Sequence, residues 1–126
     1  MKLKKYFSFP IGVREQRKDR KFDLGCESPG VLVECKNHTW TEGDNAPSAK
    51  FSVWNEAMFY FMLSPKDYRK ILAVRSSSSR KGKSLAKYYL GRFEHLIPYG
   101  VEIWEISEDG SSGKPVFVAP PHNKTL

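Results

Sequence analysis

Cysteine is scarce in this chain, with only Cys26 and Cys35 among 126 residues. Neither belongs to a CxxC pair or has histidines at zinc-ligand spacing, so both read as reduced thiols and not as a disulfide framework or a zinc site. No apolar run is long enough to cross a bilayer, and the basic start lacks the apolar core of a signal peptide. The expected location is therefore the cytoplasm, with no membrane partner. No GxxxxGK[ST] loop occurs, so nucleotide hydrolysis has no support and no nucleotide cofactor is expected. Internal repeats and linkers are lacking too. The length supports one domain spanning 1–126, with a loosely ordered tail from about 120.

What the chain does have is a globular composition, 40% hydrophobic and 13% aromatic, and a net charge of +7. The distribution of that charge says more than its total. Residues 1–22 hold eight Lys or Arg against two acids, and residues 66–92 hold nine against one. Between them, residues 23–65 carry six acids and two bases. Acids grouped in the centre with basic flanks suit a cleft that receives a polyanion, and nucleic acid is the favoured partner.

The most informative stretch runs from Lys21 to Asn37. Val31–Asn37 reads as a strand, preceded by a Ser28-Pro29-Gly30 turn, and Lys21–Cys26 is placed to pair with it as a hairpin. Alternation puts Leu32, Glu34 and Lys36 on one face and points Val31, Val33 and Cys35 into a core. A two-residue loop at Ser28-Pro29 sets Asp23 opposite Glu34, and one at Pro29-Gly30 sets it opposite Lys36. Either way Asp23, Glu34 and Lys36 converge on one face. A bulge or a three-residue loop would reverse the first strand.

Two carboxylates beside an ammonium have a chemical use. Carboxylate oxygens are hard ligands for Mg²⁺ or Mn²⁺, and such an ion activates water and stabilises charge on a phosphoryl group. Asp23, ten residues, then Glu34-Cys35-Lys36 resembles the PD-(D/E)xK signature of restriction enzymes and Holliday-junction resolvases. The Phe-Asp-Leu-Gly before the turn and the Val-Leu-Val run into Glu34 are also typical of that superfamily. Phe22 stands where the family often has proline. The resemblance covers residues 20–75. It implies a Mg²⁺-dependent endonuclease acting on DNA, with Asp23, Glu34 and the Cys35 backbone carbonyl as metal ligands and Lys36 positioning the water. It also implies a mixed central sheet flanked by helices, of the restriction endonuclease-like α/β class.

The rest of the chain fills in around this. Residues 1–13 read as an edge strand interrupted at Pro10. The family's usual first helix, which often supplies a further acid, is missing here, and Glu15 is the available stand-in. His38 continues the parity of Glu34 and Lys36, which would aim it at the cleft. A helix is predicted from Ala46 to Leu63, apolar nearly all round, so that it is buried against the sheet and against a second surface such as a partner subunit. Its polar Asn55 and Glu56 are accessory site candidates. Lys70–Arg75 reads as a buried strand parallel to the Glu34 strand. A flexible basic loop with Arg80, Lys81 and Lys83 follows. Arg14, Arg17 and Lys18 form the other candidate phosphate-tracking group. Ser84 opens a second helix with Leu85, Tyr89, Phe93 and Leu96 on one face, then come a strand at 101–106 and an edge strand at 116–119.

The chain has no room for a separate sequence-reading domain, so a structure-specific or resolvase-like homodimer, or a subunit of a larger complex, is expected. The rival from another class is a non-catalytic nucleic-acid-binding or assembly protein that retains the fold. A protein-only interaction module leaves the basic segments unexplained.

Overall fold

Six strands lie side by side in chain order in the computed structural model, which describes residues 2–13 and 15–121. They are β1 (Lys4–Ile11), β2 (Lys18–Glu27), β3 (Gly30–Lys36), β4 (Arg69–Arg75), β5 (Glu102–Ile106) and β6 (Gly113–Val118), with α1 (Phe51–Met62) before β4 and α2 (Leu85–Phe93) before β5. The three pairings joined by hairpins are antiparallel (β1–β2, β2–β3, β5–β6), and β3–β4–β5 run parallel through the helical crossovers. The fold is mixed α/β.

Parallel crossovers of one hand that advance in one direction leave their helices on the same face of the sheet. One core cluster accordingly unites Phe51, Trp54, Met58 and Phe61 of α1 with Leu85 and Tyr89 of α2 and with Leu32, Leu72, Val74 and Ile103 of the sheet. The spacing 51, 54, 58, 61 is that of a single helical stripe. Here two expectations are corrected. The helices lie on one face instead of flanking the sheet. The main core is also on the Leu32 and Glu34 side, while Val31 and Val33 form a smaller cluster with Cys26 on the other side, and Cys35 is exposed. The sequence pattern of β3 gives the alternation but not which face receives the helices.

The β2–β3 hairpin closes through Ser28-Pro29, with Glu27 opposite Gly30 and Leu24 opposite Val33. The ladder continues no further, because the pleat resets at Asp23. Phe22 packs with Leu32 on the helix face, whereas Leu24 packs with Val33 on the other. β1 resets at the same level. Lys5 faces Leu24 and Phe7 faces Phe22, and Tyr6 between them takes a left-handed φ of 54°. This double reset puts Phe7 and Ile11 in the core cluster that contains α1, with Phe22 stacked on Phe61 and Arg20 on Tyr60.

Other boundaries follow the sequence with local exceptions. α2 stops at Phe93 and tightens into a 3-10 turn, which turns Leu96 out to 48% exposure and off the apolar face. The loop after β4 is held rather than loose: Gly82 and Ser79, Lys83 and Ser79, and Ser78 and Ser84 are paired across it. The Arg80 N–H also donates to Asp44 Oδ2 at 3.0 Å. Among the described residues, no helix is long and apolar enough to cross a membrane. Both cysteines are free. The expected tail falls mainly on 122–126, outside the described residues, as does Arg14.

Candidate functional site

The pleat reset places the Asp23 side chain against the edge of β3, where its Oδ2 accepts the Cys35 backbone N–H at 2.7 Å. In an extended strand the N–H and C=O of one residue project to the same edge. The Cys35 carbonyl is therefore on the Asp23 side, at a level where β2 offers no ladder partner. Glu34 lies beside this pair and is only 3% exposed. Burial first, and the neighbouring Asp23 carboxylate second, push its pKa up to about 7, against the opposing pull of Arg20 and Lys36. Asp23 raises the Glu34 pKa both by its charge and by hydrogen bonding, as a second carboxyl group at one site does.

Lys36 is half-buried on β3 next to Val74 of β4, close enough to Glu34 for its ammonium to favour the ionised carboxylate. His38 accepts a hydrogen bond from Trp54 Nε1 of α1 through Nδ1 at 2.9 Å. Desolvation, then the charges of Lys36 and Lys50, hold its pKa below the usual histidine value, so the ring is neutral at pH 7 with the proton on Nε2. Desolvation by the surrounding atoms, then the Asp23 and Glu34 carboxylates, push the Cys35 thiol up, which leaves it a poor nucleophile.

The accessory candidates disperse. Asn55 Oδ1 accepts from the buried Tyr89 hydroxyl at 2.6 Å, so its amide oxygen serves the α1–α2 contact. Glu56 is exposed on α1. Glu15 is exposed at the groove between the β1–β2 connection and α1. Arg17 and Lys18 are exposed at the start of β2, and Arg80, Lys81 and Lys83 are exposed in the loop after β4. The Lys83 ammonium also lies 5.0 Å above the Tyr88 ring.

One further residue, Arg20, reaches the site without a sequence signal, and a second buried acid, Glu105, lies two strands away. Arg20 sits 3.4 Å from Glu34 Oε1 and stacks over the Tyr60 ring at 4.1 Å, with its Nε buried and unpartnered. Strict alternation from Leu24 would put Arg20 on the opposite face, and the reset at Asp23 brings it round. Glu105 is 7% exposed and continues the row Lys36–Val74–Glu105 across three parallel strands. At about 4.8 Å per strand this places it about 10 Å from Lys36. The Ser76 hydroxyl donates to it at 3.4 Å.

Among the described residues no three His, Cys, Asp or Glu side chains gather as a metal cage. Two adjacent carboxylates with a backbone carbonyl still fit Mg²⁺, which binds through one or two carboxylates and keeps waters or substrate oxygens in its other positions. Burial beside Asp23 disfavours the charge on Glu34, and a bound cation would relieve that cost. Compared with protein-family models, curated proteins and solved structures, the chain finds no match.

Proposed function

We propose that the protein is a metal-dependent nuclease of the restriction endonuclease-like class, hydrolysing phosphodiester bonds of DNA. The observation that carries this reading is the Asp23–Glu34 pair at the edge of β3, with the Cys35 carbonyl on the same edge and Lys36 beside it. A hairpin, helix, strand, helix, strand order around this pair supports the class.

A bound Mg²⁺ or Mn²⁺ would supply an activated water and neutralise charge on the phosphate. Asp23 is held for ligation by the Cys35 N–H. Glu34, once ionised, would be the second carboxylate ligand. Lys36 offers an ammonium to the attacking water or to the developing phosphate charge. His38, neutral and fixed by Trp54, presents an N–H donor.

The test is cleavage of duplex, single-stranded, flap and four-way-junction DNA with Mg²⁺ or Mn²⁺, beside Glu34→Ala and Lys36→Ala variants. Metal-dependent cutting by the wild type that both variants lose is the expected result. Salt-sensitive binding without cutting under either metal would replace it with the non-catalytic binding protein. The 3.4 Å Arg20–Glu34 ion pair favours that second reading, because it already neutralises a ligand.

A further inference from the structure

A groove of ≈ 1210 Å³ opens between the β1–β2 connection and the C-terminal half of α1. Its two walls differ in chemistry. The α1 wall presents Phe59, which is 54% exposed, together with Tyr60. The opposite wall carries Arg17 and Lys18, with Glu15 as the one acid among its described residues. The groove neighbours the candidate site through its wall residue Tyr60, which carries the Arg20 guanidinium at 4.1 Å, with Arg20 3.4 Å from Glu34.

We propose that this groove binds unpaired nucleotides of the substrate strand, with a base stacked on Phe59 and the flanking phosphates on Arg17 and Lys18. An exposed aromatic facing two cations across a groove is the arrangement that single-stranded nucleic acid uses, since every base has a face to stack and every linkage has a charge. The division of the walls agrees with this. The carbonyl end of α1 disfavours phosphate and leaves that wall to the base, while the cationic connection takes the backbone. A duplex keeps its bases stacked on each other and has no face to offer Phe59. A second copy of the chain is also disfavoured, because the core of a protein interface is depleted of the lysine found here. That the strand is then delivered to Asp23 and Glu34 rests on the nuclease reading, but binding in the groove does not.

The test is binding of a fluorescent oligothymidylate, in EDTA so that nothing is cut, with duplex of the same length alongside. Phe59→Ala is expected to weaken the oligothymidylate about tenfold, Phe59→Tyr to restore it, and neither to change duplex binding. Arg17→Ala with Lys18→Ala should flatten the salt dependence of the same binding. Phe59 is exposed, so its removal leaves the fold intact, and circular dichroism checks that. Unchanged affinity in Phe59→Ala would overturn the proposal. So would a wild-type dimer in sedimentation that Phe59→Ala dissolves, which would give the groove to a second copy. Loss of cutting with retained groove binding removes the nuclease alone, and cutting with no effect of Phe59→Ala removes the groove alone.

Discussion

At the scale of single residues, Glu34 is where burial and chemistry conflict. Its pKa is about 7 in the folded protein, against about 4.3 in an unfolded chain. The folded state therefore holds the proton more tightly, and ionising Glu34 costs stability as pH rises from about 4 to beyond 7. Glu34→Gln cannot ionise. Without added metal it should be more stable than wild type by up to about 3 kcal/mol at about pH 8, with the gain vanishing near pH 4. Urea denaturation at several pH values reads this directly, and a gain that does not vary with pH would mean that Glu34 is not the titrating group. The same proton competes with a cation. Mg²⁺ binding to wild type, followed by calorimetry, should tighten across the same pH window and release up to one proton per ion. Metal binding that ignores pH would place the ion elsewhere.

At the scale of elements, glycine positions separate what the hairpin needs from what a helix tolerates. A Cβ on Gly25 would stand 2.5 Å from the Phe7 ring and 2.9 Å from the Val31 carbonyl oxygen, both in the packed hairpin. Gly25→Ala should cost about 1–3 kcal/mol, recovered only in part by trimming Phe7, since the carbonyl stays. Gly91 within α2 is exposed and meets nothing within 4 Å, so Gly91→Ala should stabilise by about 0.5–1 kcal/mol. Thermal melts of the two variants must move in opposite directions. The elements themselves were legible in the sequence: strand runs, a turn within Ser28-Pro29-Gly30, both helices and the parallel β3–β4 pairing follow from patterning, while the choice of Ser28-Pro29 over Pro29-Gly30 does not. The Asp23 to Lys36 spacing was visible too, but Asp23 meets β3 at its edge through the reset and not by the plain hairpin register that the spacing suggested. Hidden were the pleat reset at Asp23, which no residue type announces, and hence Arg20. Also hidden was the face that the helices cover, because Leu32 and Val33 are equally apolar neighbours on β3. Tertiary packing decides that question, and alternation alone is symmetric.

At the scale of the whole molecule, topology gathers charge that the sequence keeps apart. β2 is antiparallel to β3, so its start, with Arg17 and Lys18, comes to the carboxyl end of β3. The loop after the parallel strand β4, with Arg80, Lys81 and Lys83, leaves the sheet at that same end. Lys4 pairs with Gly25 near the opposite end, by the Ser28-Pro29 turn. Two basic segments more than sixty residues apart in the chain, by numbering about 17 and 80, thus border one rim, with Glu34 and Lys36 between them. If that rim tracks a phosphate backbone, each contact releases counterions and adds about 0.9 to the slope of log affinity against log salt on duplex DNA. Neutralising Arg80, Lys81 and Lys83 to Gln should therefore weaken duplex binding at low salt and lower the slope by up to about 2.7. Neutralising Lys4 and Lys5 removes nearly as much net charge and should leave the slope within error of wild type. Titrations across a salt series decide it. Equal effects from the two sets would mean that only total charge matters, and that the rim is not the interface.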